Sequence, residues 1–276
     1  MEFKNYIGKQ EIIKEEISLT QVEKIVATLD YKDLKLGDEL PYLWQWCFFN
    51  KALSKDKLGK DGHPKLGGSD DSFLPSFGNV NRMWAGGRFT FNSALIIGKI
   101  ATKITTIKDI QEKVGNTGKL IFVTLEHKYY QDEDLKIIEE QDIVYKEPTP
   151  PKLTSNKSVS EADFSESFCP DSTLLFRYSA LTFNGHKIHY DYPYATMVEG
   201  YSGLVIHGPL LATKMISCFA KNHKDKKITK YSYRGLHAVC TPSSFCVESK
   251  IISENEANVW INKDGFIAHQ GIINYK

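Results

Sequence analysis

Between Glu147 and Ser167 the chain opens Glu-Pro-Thr-Pro-Pro and stays polar throughout, a composition too rich in proline and too poor in apolar side chains to pack a core. A structureless segment of that length is uncommon inside one compact domain. It predicts a linker, residues 147–167, between an N-terminal unit (1–146) and a C-terminal unit (168–276).

The two units read in the same order. In the first, Leu40-Pro-Tyr-Leu-Trp-Gln-Trp-Cys-Phe-Phe-Asn50 is predicted as a buried helix with proline near its first turn. After a glycine-rich loop come strand-like runs at Arg88–Phe91, Lys99–Ile107, Leu120–Lys128 and Ile137–Tyr145, rich in β-branched and aromatic residues. In the second, the helix is predicted at Gly208–Phe219, with Leu210, Leu211, Met215 and Phe219 near helical spacing and Pro209 at its start. Strands are predicted at Thr229–Tyr233, Phe245–Ile252, Ala257–Asn262 and Phe266–Tyr275. One buried helix followed by antiparallel strands, twice over, implies an α+β protein built by duplication.

Composition narrows the function classes. The formal net charge of the 276 residues is +1, from 35 basic and 34 acidic side chains, so no bulk field draws the chain to nucleic acid or to an anionic membrane. Five scattered cysteines without a CxxC pair read as reduced thiols. Met1–Gln21 mixes Lys and Glu without an apolar core, and no run approaches the length of a membrane span. A cytoplasmic protein is expected.

Three histidines, His186, His189 and His207, surround the start of the Gly208-Pro209 helix. Imidazole takes and returns protons near neutrality, and a helix start offers free N–H groups to an oxygen that becomes negative. His186-x-x-His189 lacks a third ligand, so no metal is expected. Asn184 reads either as a turn former with Gly185 or as an amide that orients water. Asp191 reads as an N-cap. Arg82 and Arg88 flank an aromatic turn, Arg234 occupies the matching strand of the second unit, and Arg177 lies upstream of the histidines. Guanidinium forks suit carboxylate or phosphate, which makes all four candidate substrate contacts together with His186 and His207. The lysines from Lys221 to Lys230 read as a solvated loop.

Asn184-Gly-His186-Lys-Ile-His189-Tyr-Asp191 followed by His207-Gly208 resembles the motif of the MaoC-like, (R)-specific enoyl-thioester hydratases. Gly37-Asp-Glu-Leu-Pro41, Trp44-Gln-Trp46, Asp61-Gly-His-Pro64, Arg82-Met-Trp-Ala-Gly-Gly-Arg88 and Glu140-Gln-Asp-Ile-Val-Tyr145 resemble the branch of that family containing mesaconyl-C(4)-CoA hydratase, itaconyl-CoA hydratase and the mitochondrial 3-hydroxyacyl-thioester dehydratases. The likeness covers the chain except its N-terminal tail and the linker.

The resemblance implies a double hot-dog fold without a cofactor, acting on a CoA thioester, with the first unit contacting substrate and the second catalytic. It implies reversible addition of water to a short 2-enoyl-CoA, with His189 as catalytic histidine and the Gly208 N–H polarising the thioester carbonyl. The family's catalytic aspartate falls on Asn184, which cannot accept a proton. His189 is therefore expected to serve as both base and acid, Asn184 to hold water or enolate, and Asp191 or Glu199 to supply the missing charge. Arginines available for a second carboxylate favour a branched dicarboxylic substrate such as itaconyl-CoA or mesaconyl-C(4)-CoA. The alternatives are a fatty-acid-synthesis dehydratase and, in another class, an acyl-CoA thioesterase or acyl-CoA-binding hot-dog protein. Family analogy favours a homodimer.

Overall fold

Alternation of apolar and polar residues carries each half into five strands. The computed structural model describes residues 3–65, 67, 73–78, 80–115, 118–147, 151 and 157–276. The strands are β1 (Gln10–Glu16), β2 (Asn81–Phe91), β3 (Ile100–Gly115), β4 (Gly118–Gln131) and β5 (Asp134–Lys146) in the first half. In the second they are β6 (Phe164–Phe168), β7 (Ile228–Gly235), β8 (Phe245–Ser253), β9 (Glu256–Lys263) and β10 (Phe266–Tyr275). The helices are α1 (Leu19–Leu29), α2 (Ser172–Leu181) and α3 (Gly208–Asn222).

Among the described residues the strands form a single antiparallel sheet of order β1-β3-β4-β5-β2-β7-β10-β9-β8-β6. Outward from the central seam, the first half runs β2-β5-β4-β3-β1 and the second β7-β10-β9-β8-β6. Corresponding strands occupy corresponding places, which is the duplication that the pattern of elements predicted. At the seam Gly87 pairs with Tyr233, and a Cβ on Gly86 would lie 2.3 Å from the Tyr233 carbonyl, so these glycines let the halves close up.

The buried helix of the second half is α3, as predicted. Its Leu210, Leu211, Met215, Ile216 and Phe219 are all inaccessible to solvent, and it packs against β7, β8, β9 and β10. Such a helix, its broad apolar face wrapped by sheet while Lys214 and Lys221 mark the other side, defines the hot-dog arrangement of this α+β fold.

Two expectations are corrected. The stretch from Leu40 to Asn50 is not an α-helix. Leu43 and Phe49 take left-handed backbone (φ 68° and 60°), and only a short 3-10 turn, Trp44–Cys47, forms between them. Its aromatic side chains fill the core without helical spacing. The helix of the first half is instead α1, whose stripe of Val22, Ile25 and Leu29 is hidden in sequence among charged neighbours. In the linker, residues 148–150 and 152–156 lie outside the described residues, but Phe164-Ser-Glu-Ser-Phe168 forms edge strand β6 on β8. Its period-two pattern is short enough to pass for polar coil.

Candidate active site

The site is built where the end of α2 turns back toward the start of α3. Asp171 caps α2 by accepting the Leu174 N–H at 2.8 Å. After the helix ends, Asn184 donates its N–H to Ser179 O (2.8 Å) and accepts the His186 N–H on Oδ1 (3.0 Å). Asn184 therefore shapes the turn that carries the histidines, the turn-former reading of its Asn-Gly pair. The turn is then pinned to the strand-like segment leading into α3, because Val205 N–H bonds Ile188 O at 2.9 Å.

His189 is held by this pinning. Its Nδ1 lies 2.7 Å from Val205 O. A carbonyl only accepts, so Nδ1 carries the proton and Nε2 is left with a free lone pair. The neighbouring His207 ring stacks on His189 at 3.6 Å and is itself fixed by Ser179 Oγ at 2.8 Å and by the edge of Tyr178. Only 1% exposed, His207 stands behind the catalytic candidate and supports it, instead of meeting substrate as the sequence suggested. Gly208 follows directly as the first residue of α3, with Pro209 beside it. Its N–H has no intrahelical acceptor and lies at the positive end of the helix dipole. A Cβ at this position would find nothing closer than His269 Cε1 at 3.9 Å, so the backbone there is open to a ligand.

The first half contributes a loop that the sequence reading quoted without giving it a role. Asp61 accepts both the backbone N–H (3.1 Å) and the Nδ1–H (3.0 Å) of His63. Its own carbonyl accepts the Lys187 N–H at 2.8 Å, latching the loop to the histidine turn. Gly62, at φ +90°, fits so tightly that a Cβ would come 1.9 Å from Gly185 O. The result is a row of rings, with His63 against His186 at 4.0 Å and His186 edge-on to His189 at 5.6 Å. The only signal for this in the sequence is an aspartate two residues before a histidine in Asp61-Gly-His-Pro64.

Burial depresses both His63 and His186, against the pull of Asp61, and the charge of Arg82, half-buried on β2, adds to the effect. Among the described residues Arg82 has no carboxylate partner. The other arginines are elsewhere. Arg88 is bound to Glu140 (2.8 Å) and Asp142 (2.6 Å). Arg88 and Arg234 line a groove of about 980 Å³ with Lys113 and Trp260. Strand alternation turns both away from inward-facing Phe89 and Tyr233 and so from the histidines. Arg177 is exposed on α2 and reaches Ala27 O at 3.5 Å. Asp191 caps the next turn through the Tyr194 N–H (3.1 Å), and Glu199 accepts the Tyr194 hydroxyl (2.9 Å), so neither replaces a carboxylate at 184.

Ligand-capable atoms of Asp61, His63 and His186 lie within 4.8 Å of one another, although the double hydrogen bond between Asp61 and His63 already commits His63 Nδ1.

Burial keeps the imidazoles of His186, His189 and His207 neutral. Burial, then the charge of His186, pushes His189 down to about 3, against the Val205 carbonyl. Burial and His63 push His186 down to about 3, and burial drives His207 well below its ordinary value. Burial would raise Asp61, but its hydrogen bonds and charge interaction with His63 outweigh this and hold it at about 2.

The histidine shifts fix the sign of the pH dependence of folding. An unfolded histidine takes its proton at about 6.5, whereas buried His189 does so only at about 3. The unfolded chain therefore binds more protons between these values, and stability present above 6.5 is lost as pH falls toward 3. At pH 5 one such histidine costs on the order of 2 kcal/mol. Urea unfolding at pH 7 and at pH 5 is expected to show this loss, with a smaller loss in His189→Ala.

Fold and site together define a class, the hot-dog hydratases and dehydratases that act on thioesters. The family described as hydroxyacyl-thioester dehydratase type 2 matches residues 43–241. The chain is 41% identical to mesaconyl-C(4)-CoA hydratase of Chloroflexus aurantiacus over 83% of its own length and 82% of that protein. It is 27% identical to the mitochondrial hydroxyacyl-thioester dehydratase type 2 of Schizosaccharomyces pombe, covering 91% and 92% of the two chains. A MaoC-like dehydratase from Phytophthora capsici has the same fold, with a TM-score of 0.69 at 13% identity and coverage of 98% and 95%. The chain belongs to the hydroxyacyl-thioester dehydratase type 2 family, and is a hydro-lyase of the hydratase and dehydratase type.

Proposed function

We propose that the protein reversibly hydrates the double bond of a short, branched, dicarboxylic 2-enoyl-CoA such as mesaconyl-C(4)-CoA or itaconyl-CoA. The observation that carries the hydration chemistry is the neighbourhood of His189 and Gly208: a neutral imidazole with Nε2 free stands beside a helix start with an unused N–H. Water held by Nε2 gives up a proton as its oxygen bonds to C3. The π electrons move onto the thioester oxygen, where the Gly208 N–H and the dipole of α3 hold the enolate. The enolate then collapses as C2 takes a proton from an acid of the site, and His189 returns the proton it gained to solvent. Asn184, with Oδ1 spent on the His186 N–H, retains its amide N–H groups for hydrogen bonding to water or enolate.

Arg82 supports the dicarboxylic substrate. A free carboxylate entering a partly closed pocket needs a paired cation, and Arg82 is the arginine whose charge reaches the histidine row. The 41% identity to a protein named for mesaconyl-C(4)-CoA supports the same reading. The test follows loss of enoyl-thioester absorbance with crotonyl-CoA, itaconyl-CoA and mesaconyl-C(4)-CoA, with a thiol reagent in parallel. Preference for the dicarboxylic pair without thiol release is expected. Preference for unbranched chains would indicate the fatty-acid-synthesis dehydratase, and thiol release a thioesterase. Arg82→Met is expected to lower kcat/KM for mesaconyl-C(4)-CoA relative to crotonyl-CoA by about 10- to 100-fold, the worth of one charge-assisted contact. An unchanged ratio would remove Arg82 from substrate recognition.

A further inference from the structure

Hydration needs a proton at C2 as well as a base for water, and the second half supplies only the base. At position 184, where the family motif has an aspartate, the amide has no proton to transfer at neutral pH. The first half brings a carboxylate to the same place. His63 commits its Nδ1–H to Asp61, so Nε2 is the atom that takes up a second proton, forming the imidazolium, and gives it back. Of the three rings in the row, His63 alone is bonded to a carboxylate, so only there is the positive charge of an imidazolium directly offset. The groups facing it are Asp61 in its own loop, Arg82 of β2, His186 of the catalytic turn and Glu199, which is tied to Tyr194.

We propose that the Asp61–His63 pair is the second proton-transfer group of this centre, delivering a proton to C2 in hydration and removing it in dehydration. The proposal rests on the hydratase reading above and replaces the expectation that His189 works alone. In the hydration-ready form His63 is an imidazolium, with Nδ1–H on Asp61 and a second proton on Nε2, and His189 Nε2 is empty. The water oxygen forms the C3–O bond while one of its O–H bonds breaks and that proton passes to His189. The C2–C3 π pair becomes the enolate, then takes the proton from His63 Nε2 to form the C2–H bond. His189 has gained one proton and His63 has lost one, and exchange with solvent restores both without an oxidant or other co-reactant.

The test compares wild type, Asp61→Asn, Asp61→Glu and His63→Gln in the full chain, using whichever of crotonyl-CoA, itaconyl-CoA or mesaconyl-C(4)-CoA the wild type hydrates fastest. kcat and KM are measured across pH together with each variant's unfolding midpoint. His63→Gln and Asp61→Asn are expected to lower kcat about a hundredfold or more, within the usual range for acid–base groups, with KM changed less than about threefold. Wild-type kcat is expected to fall as pH rises and the pair loses its proton. In Asp61→Asn that fall moves about one pH unit or more toward acid, because the carboxylate no longer favours the imidazolium. Asp61→Glu is expected to regain part of the rate. Should a variant fold poorly, the position of the alkaline fall in the folded fraction still decides. A His63→Gln kcat within about threefold of wild type, or an alkaline fall unmoved in Asp61→Asn, overturns the proposal. A wild type that hydrates none of the three thioesters instead overturns the hydratase reading itself.

Discussion

His189→Ala is expected to lower kcat by about 10²- to 10⁴-fold, the usual contribution of a positioned acid–base group. Three features make this the largest single-residue effect. The imidazole is fixed by one carbonyl and one stacked ring, its Nε2 is left with a lone pair, and burial keeps it unprotonated above about pH 3. The two imidazoles that touch it are already committed, His207 to Ser179 and His186 against His63. The enolate contacts at Gly208 do not pass through the imidazole, so KM is expected to change much less than kcat. The stability cost should be modest, since the lost hydrogen bond to Val205 is worth about 1–2 kcal/mol. A calorimetric midpoint near that of wild type, combined with the kinetic loss, separates catalysis from folding. Activity close to wild type would remove His189 from the mechanism.

Gly62→Ala is expected to have the second largest effect, although the residue carries no functional group. At φ +90° an alanine costs roughly 1–2 kcal/mol in backbone strain alone. Its Cβ would also meet Gly185 O at 1.9 Å, and since both partners are backbone, the two loops must separate. Separation stretches the Lys187 N–H to Asp61 O bond and draws His63 away from His186. A displacement of about 1 Å at a reacting group can cost 10²-fold in rate, and a loss of that order in kcat is expected. Gly78→Ala is the matched control. It too has positive φ (+80°), but its Cβ would meet nothing within 4 Å. Equal loss in both variants would show that backbone strain, and not the latch, limits the rate.

Much of this was legible in the sequence, for physical reasons that differ between regions. Four strands of each half were visible because β-branched and aromatic residues alternate over long runs, whereas short, charged or polar β1 and β6 were not, and α3 was visible because Gly208-Pro209 precedes an apolar stretch of helical length. The helix of the first half was misplaced because α1 buries only Val22, Ile25 and Leu29 among charged residues, whereas the conspicuous Trp44–Phe49 segment is apolar for packing and not for helicity. His189 and Gly208 could be found because motif and chemistry lie within one short stretch. Asp61 and His63 could not be given a role, since they sit more than a hundred residues away and meet the histidine turn only in the fold, through the Gly62–Gly185 approach, the Lys187 N–H bond to Asp61 and the His63–His186 ring contact. The arginines were ambiguous for a related reason. Arg82 and Arg88 share one strand, but alternation and the irregularity between Trp84 and Gly86 send Arg88 to the opposite face.

The central claim is that this histidine centre adds water across the double bond and leaves the thioester intact. Incubating the protein with mesaconyl-C(4)-CoA in water enriched in heavy oxygen, then analysing the products by mass spectrometry, tests it most directly. The expected product is a hydroxyacyl-CoA with one heavy oxygen on C3 and no free CoA thiol, formed at a strongly reduced rate by His189→Ala. Heavy oxygen in a released carboxylate, with free CoA thiol accumulating, would contradict it.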